Sequence, residues 1–142
     1  MRFLTFFALS SFLLACKNTP EQQAQAAARQ EAPAPGTVVA EGKIQQSEDG
    51  LNRFMFQVTV TKAPERGVYT VTAADGPNQG ETQFTLPKGA EDYRVVLRKL
   101  PAEKRMAIGF EAPGDTTFYP YYEVVSENKT IRAQYTNAYR FE

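Results

Sequence analysis

From Thr37 onward the apolar residues of this chain recur at every second position, which limits the segment to strands buried on one face. Phe54, Phe56, Val58 and Val60 alternate with Met55, Gln57, Thr59 and Thr61. The same period carries Tyr69, Val71 and Ala73, then Phe84 and Leu86, then Tyr93, Val95 and Leu97 between Arg94, Val96 and Arg98. It continues through Met106, Ile108 and Phe110, with Ala107 and Gly109 between them, and through Ile131, Ala133 and Tyr135, separated by Arg132 and Gln134. Turn formers divide these runs: Asp49-Gly50, the stretch Asp75-Gly76-Pro77-Asn78-Gln79-Gly80, Pro101, Pro113-Gly114-Asp115 and Glu127-Asn128. The predicted strands are therefore 37–46, 51–62, 67–73, 82–86, 93–98, 106–110, 117–126 and 129–136, with Asp49-Gly50 as the hairpin turn between the first two. The only helical competitor is a turn near Lys88–Asp92.

Short strands at this spacing predict an all-β domain, an antiparallel β-sandwich of seven to eight strands over residues 37–142. Its expected architecture is immunoglobulin-like or fibronectin-III-like; a transthyretin-like sandwich and a small β-barrel are the alternatives. The tryptophan and cysteine pair of antibody domains are absent from the sequence. Phe118-Tyr119-Pro120 followed by a closing hairpin is similar to the late strands of transthyretin-like hydrolases. Those enzymes depend on histidines and a terminal Tyr-Arg-Gly-Ser that this chain lacks, so the likeness implies a sandwich and no activity.

The N-terminal residues obey a different rule. Arg2 precedes an apolar run from Phe3 to Leu14, which marks 1–15 as a signal peptide. It is too short for a hydrocarbon core that needs roughly 20 apolar residues. Leu13-Leu14-Ala15-Cys16 resembles the lipobox of bacterial lipoproteins, and Cys16 is the only cysteine in the chain. The resemblance implies that the Cys16 sulfur receives a diacylglyceryl group and that cleavage makes Cys16 the new N-terminus. An ordinary secretory signal ending near a free thiol is the simpler alternative. Lipidation would place the protein in the bacterial cell envelope, with membrane lipid as a partner. Lys17 after the cysteine favours the outer membrane by the sorting rule of enteric bacteria. Residues 16–36, rich in Ala, Gln and Pro, then read as a flexible tether with a root-mean-square span of roughly 25 Å.

Composition excludes several chemistries. There are 16 Lys plus Arg against 16 Asp plus Glu, so no overall basic field draws nucleic acid. The sequence has no histidine, which rules out Ser-His-Asp, Cys-His and His-ligated zinc sites. Ser47 and Ser126, the serines beyond the tether, lack a nucleophile motif, and Gly76 with Gly80 lacks the Lys-Ser/Thr of a phosphate loop. No cofactor is expected, and none of the residues is assigned as catalytic.

Three sets of residues remain as candidates. Tyr119, Tyr121, Tyr122 and Tyr139 form a possible recognition surface for a glycan or an envelope protein, if alternation leaves some of the rings outside. Asp75, Asn78 and Glu81 form a weak calcium candidate. Glu111, Asp115 and Glu123 are the carboxylates from which a small hydrolase would draw its pair. The leading expectation is a lipid-anchored, noncatalytic binding or assembly module. A carbohydrate- or ligand-binding lipoprotein is second, and a carboxylate hydrolase third.

Overall fold

The computed structural model describes residues 33–45, 55–102 and 104–141. The signal peptide, Cys16, most of the tether and the Asp49-Gly50 turn lie outside the described residues. Glu31–Glu142 forms one compact unit that contains every described strand and the whole described core.

Eight strands follow one another: β1 (Val38–Gln45), β2 (Met55–Lys62), β3 (Val68–Asp75), β4 (Asn78–Thr85), β5 (Arg94–Lys99), β6 (Arg105–Glu111), β7 (Tyr119–Glu127) and β8 (Thr130–Tyr135). No helix occurs among the described residues; Lys88–Asp92 holds consecutive turns, with Ala90 N donating to Pro87 O and Tyr93 N to Ala90 O. The strands form two antiparallel four-stranded sheets, sheet A in the order β1-β2-β3-β4 and sheet B in the order β5-β6-β7-β8. The chain passes between sheets once, after β4. Both sheets are therefore meanders, a simpler connectivity than the Greek key of immunoglobulin domains. β1 lies beside β5 and β4 beside β8, so the sheets stack in matching order. The ladders join only strands within a sheet, which leaves an open sandwich rather than a closed barrel.

Alternation builds the core as expected. Phe56, Val58 and Val60 on β2, Tyr69, Val71 and Ala73 on β3, and Phe84 on β4 meet Val95, Met106, Ile108, Phe110, Tyr122 and Val124 from sheet B. At the β1–β5 edge a Cβ on Gly42 would overlap Leu97 Cδ2 and stand 2.8 Å from Met106 Sδ, so only glycine lets these edges approach.

Two turns differ from the sequence expectation, the one after β3 by being tighter and the last one, expected at Glu127-Asn128, by lying one residue later. Asp75 pairs directly with Asn78, leaving Gly76 (φ 58°) and Pro77 as the loop; Asn78, Gln79 and Gly80 belong to β4 and not to a long loop. The last hairpin turns on Asn128 and Lys129, with φ of 51° and 61°, the left-handed pair that matches strand twist in a two-residue loop.

Candidate functional site

The tyrosine-rich strand departs from simple alternation. Ile108 pairs with Tyr122 but Gly109 pairs with Pro120, so Tyr121 is the extra residue of a β-bulge. The bulge changes the phase of β7. Tyr122, in phase with Val124, faces the core; Tyr119 and Tyr121, on the other side of the bulge, face it too. All three rings thus meet aromatic partners from inside the sandwich, Tyr122 with Phe84 at 5.3 Å and both Tyr119 and Tyr121 with Phe110 at 5.6 and 5.7 Å.

Phe110, fully buried, is surrounded by Tyr93, Tyr119, Tyr121, Tyr139 and Phe141. Three of the hydroxyls are engaged as well. Tyr121 Oη donates to Thr85 O at 3.1 Å, Tyr139 Oη donates to Pro120 O at 2.9 Å, and Tyr122 Oη lies 3.4 Å from Thr82 Oγ1. Burial raises the pKa of Tyr121, with the nearby Tyr135 adding to the effect. The structure therefore brings the four candidate tyrosines together, but as mortar between the sheets. Tyr122 is 4% exposed and the other three are half-buried, so they do not form the open aromatic row that a stacking surface requires.

The oxygens of the three calcium candidates do not converge, although Asp75 and Asn78 are ladder partners. The carboxylate of Asp75 points inward at 6% exposure, where it accepts hydrogen bonds from Ser126 Oγ and, at 3.1 Å, from Lys104 Nζ. Glu81, in register with Thr72, is exposed on the outer face of sheet A. Asn78 instead donates to the backbone oxygen of Asp75.

Each of the three hydrolase candidates has a structural partner. Asp115 Oδ1 accepts from Thr117 N and Thr117 Oγ1, both at 2.9 Å, and these bonds hold its carboxyl below the usual range. Glu123 pairs with Arg105 at 3.2 Å. Glu111 is buried between Arg94 and Arg98. Glu111 shares a row with Arg94, and Glu123 shares one with Ala107. Their rows are separated by four residues of β6, about 13 Å of strand, beyond the roughly 5–9.5 Å of two-carboxylate glycosidase chemistry.

A feature the sequence reading did not single out lies on the outer face of sheet B. Arg94, Arg98, Arg105 and Arg132 all point outward, because they fall between the inward positions Val95, Leu97, Met106 and Ile131. Arg98 lies over the Phe118 ring at 4.2 Å from its centroid, and Phe118 in turn covers Gly109. The signal was available: Arg94 and Arg98, four apart on a strand, share a face, and they are out of phase with the inward Val95 and Leu97. No family model matches the sequence, and neither a curated protein nor a solved structure matches it.

Proposed function

We propose that this protein is a lipid-anchored, noncatalytic binding or assembly module of the bacterial cell envelope, attached to the outer membrane through acylated Cys16. The anchor rests on the resemblance of Leu13-Leu14-Ala15-Cys16 to a lipobox. The observation that carries the noncatalytic reading is the commitment of the candidate groups. Glu111, Glu123, Asp115 and Asp75 are each bound to cations, hydroxyls or backbone that hold the sandwich together. What the domain offers to its surroundings is two broad sheet faces. The chain enters the sandwich where Gly36 N donates to Lys62 O at 2.8 Å, the end of sheet A that also carries Tyr69 and Phe84.

The test is metabolic labelling with a palmitate analogue in a bacterial host, combined with crosslinking in intact envelopes. The reading expects label on the wild type, none on Cys16→Ser, and a discrete crosslinked envelope partner. Equal labelling of both chains, or a wild type recovered wholly in the soluble fraction, would overturn it.

A further inference from the structure

We propose that the outer face of sheet B docks on anionic phospholipid headgroups, so that the domain lies on the bilayer that its tether reaches. The inference extends the anchored reading and rests on it for the source of the lipid.

The face is layered in charge. Side chains of Arg94, Arg98 and Arg105 are 62%, 49% and 42% exposed, whereas those of their partners Glu111 and Glu123 are 5% and 13% exposed. The carboxylates lie in the floor and the guanidiniums spread above them. Solvent meets the cations. Arg132, exposed and outside every ion pair among the described residues, adds a fourth. Glu127, exposed at the β7–β8 end, is a third outward carboxylate, so four arginines over three carboxylates leave a plane with one net positive charge. Each Glu111 pairing uses one terminal nitrogen of Arg94 or Arg98, so further N–H groups of these forks remain for phosphate oxygens.

The opposite face has none of this. The strands of sheet A contain no arginine, and their outer face presents Thr59, Thr61, Thr70, Thr72 and Gln83, with a Glu41–Lys43 ion pair and the exposed Glu81 leaving one net negative charge. A chain that is neutral as a whole is therefore electrically two-sided. A flat sheet with a cationic plane complements a flat anionic surface better than it complements a cleft or a point ligand. A tether over residues 16–36, if it spans roughly 25 Å as its composition implies, would keep that surface at high effective concentration.

The test is sedimentation of the Glu31–Glu142 unit, which contains its own core, with vesicles of phosphatidylcholine alone or mixed with phosphatidylglycerol at low salt. Binding to the phosphatidylglycerol vesicles only, weakened by added salt, is expected. Each basic residue near an anionic surface contributes about 1 kcal/mol, or about fivefold in affinity. Arg132→Gln should therefore lose about fivefold and Arg94→Gln with Arg132→Gln about thirtyfold, while Lys43→Gln on sheet A changes nothing. Arg132→Gln leaves the Glu111 cluster intact, so its loss is not a folding effect. No binding to anionic vesicles, equal binding to both vesicles, tighter binding to polyglutamate than to vesicles, or equal harm from Lys43→Gln would overturn the proposal. The unit lacks Cys16, so this outcome is independent of whether the full chain is lipidated.

Discussion

Gly109 and Phe118 are so closely apposed that a Cβ on Gly109 would stand 2.5 Å from Cε2 of the ring and would overlap the backbone oxygen of Tyr119. The backbone oxygen cannot swing aside, because Pro120 beside it is fixed in the bulge opposite Gly109. Phe118, just before β7, also lies beneath the Arg98 guanidinium. Gly109→Ala is expected to lower stability by about 2–3 kcal/mol through overpacking. Gly80→Ala, whose Cβ would meet Ile131 Cγ2 at 3.3 Å, should cost well under half of that. Urea midpoints of the two variants decide it, and equal midpoints would refute the apposition.

Asp75 joins the two sheets at the end opposite the aromatic cluster. It lies on β3, while Ser126 is on β7 and Lys104 is in the turn before β6. Ser126 N also donates to Lys104 O at 3.0 Å, so the three residues form one knot. Removing a buried carboxylate leaves a lysine and a hydroxyl without their acceptor, although Lys104 is partly exposed and water replaces some of the loss. Asp75→Ala is expected to cost about 2–3 kcal/mol, and Ser126→Ala about 1 kcal/mol. In a double-mutant cycle the pair should couple by about 1 kcal/mol. Strict additivity of the two losses in denaturant titrations would show that the bond contributes nothing across the sheets.

Much of this architecture is legible in the sequence because side-chain period and strand period coincide. Phe56, Val58, Val60 and Val71 were readable as inward positions, and all are buried. β4 is longer than the 82–86 its composition predicts, because its first residues are Asn78, Gln79 and Gly80, whose local preference is for turns; eight ladder pairs with β3 override that preference. The bulge at Tyr121 was hidden for a different reason. When both phases of a strand carry tyrosine, alternation sends part of the cluster to each face, whereas the bulge turns Tyr119, Tyr121 and Tyr122 to the same inner side. The arginine face depends on which carboxylates lie beneath, and Glu111 between Arg94 and Arg98 is a pairing across β5 and β6 that no local pattern displays.

That pairing has a pH signature. The Arg94 hydrogen bond holds the Glu111 carboxyl below its ordinary range, against the opposing effect of burial and with further help from Arg98. In the unfolded chain the group takes up a proton near pH 4.3, where the folded chain still resists it. The unfolded state then binds more protons, so stability rises with pH in that window. The contribution is fully present above the ordinary carboxylate pKa and is lost as pH falls through the depressed folded value. Urea midpoints measured from pH 6 down to about pH 3 should therefore drop more steeply for the wild type than for Glu111→Gln. Parallel profiles would show that Glu111 does not couple folding to pH.

The C-terminal residues act as a strap across the aromatic end. After β8, Thr136 N donates to Tyr121 O, and Asn137 Nδ2 and Tyr139 Oη both donate to Pro120 O, so the segment is held by the bulge itself. Phe141 then packs against Phe110, Tyr93 and Tyr119, over Gly89, whose φ of 89° favours glycine and where a Cβ would stand 3.0 Å from that of Phe141. Half-burial of a phenylalanine among rings contributes less than full burial, so Phe141→Ala should cost about 2 kcal/mol. Tyr139→Phe keeps the ring and removes one hydrogen bond, for about 1 kcal/mol. Thermal unfolding of both variants measures these losses. Near-ultraviolet circular dichroism should weaken more in Phe141→Ala than in Tyr139→Phe, since only the former loosens the packing around Phe110. A strap that merely rested on the surface would leave both the melting temperature and the aromatic signal of Phe141→Ala unchanged.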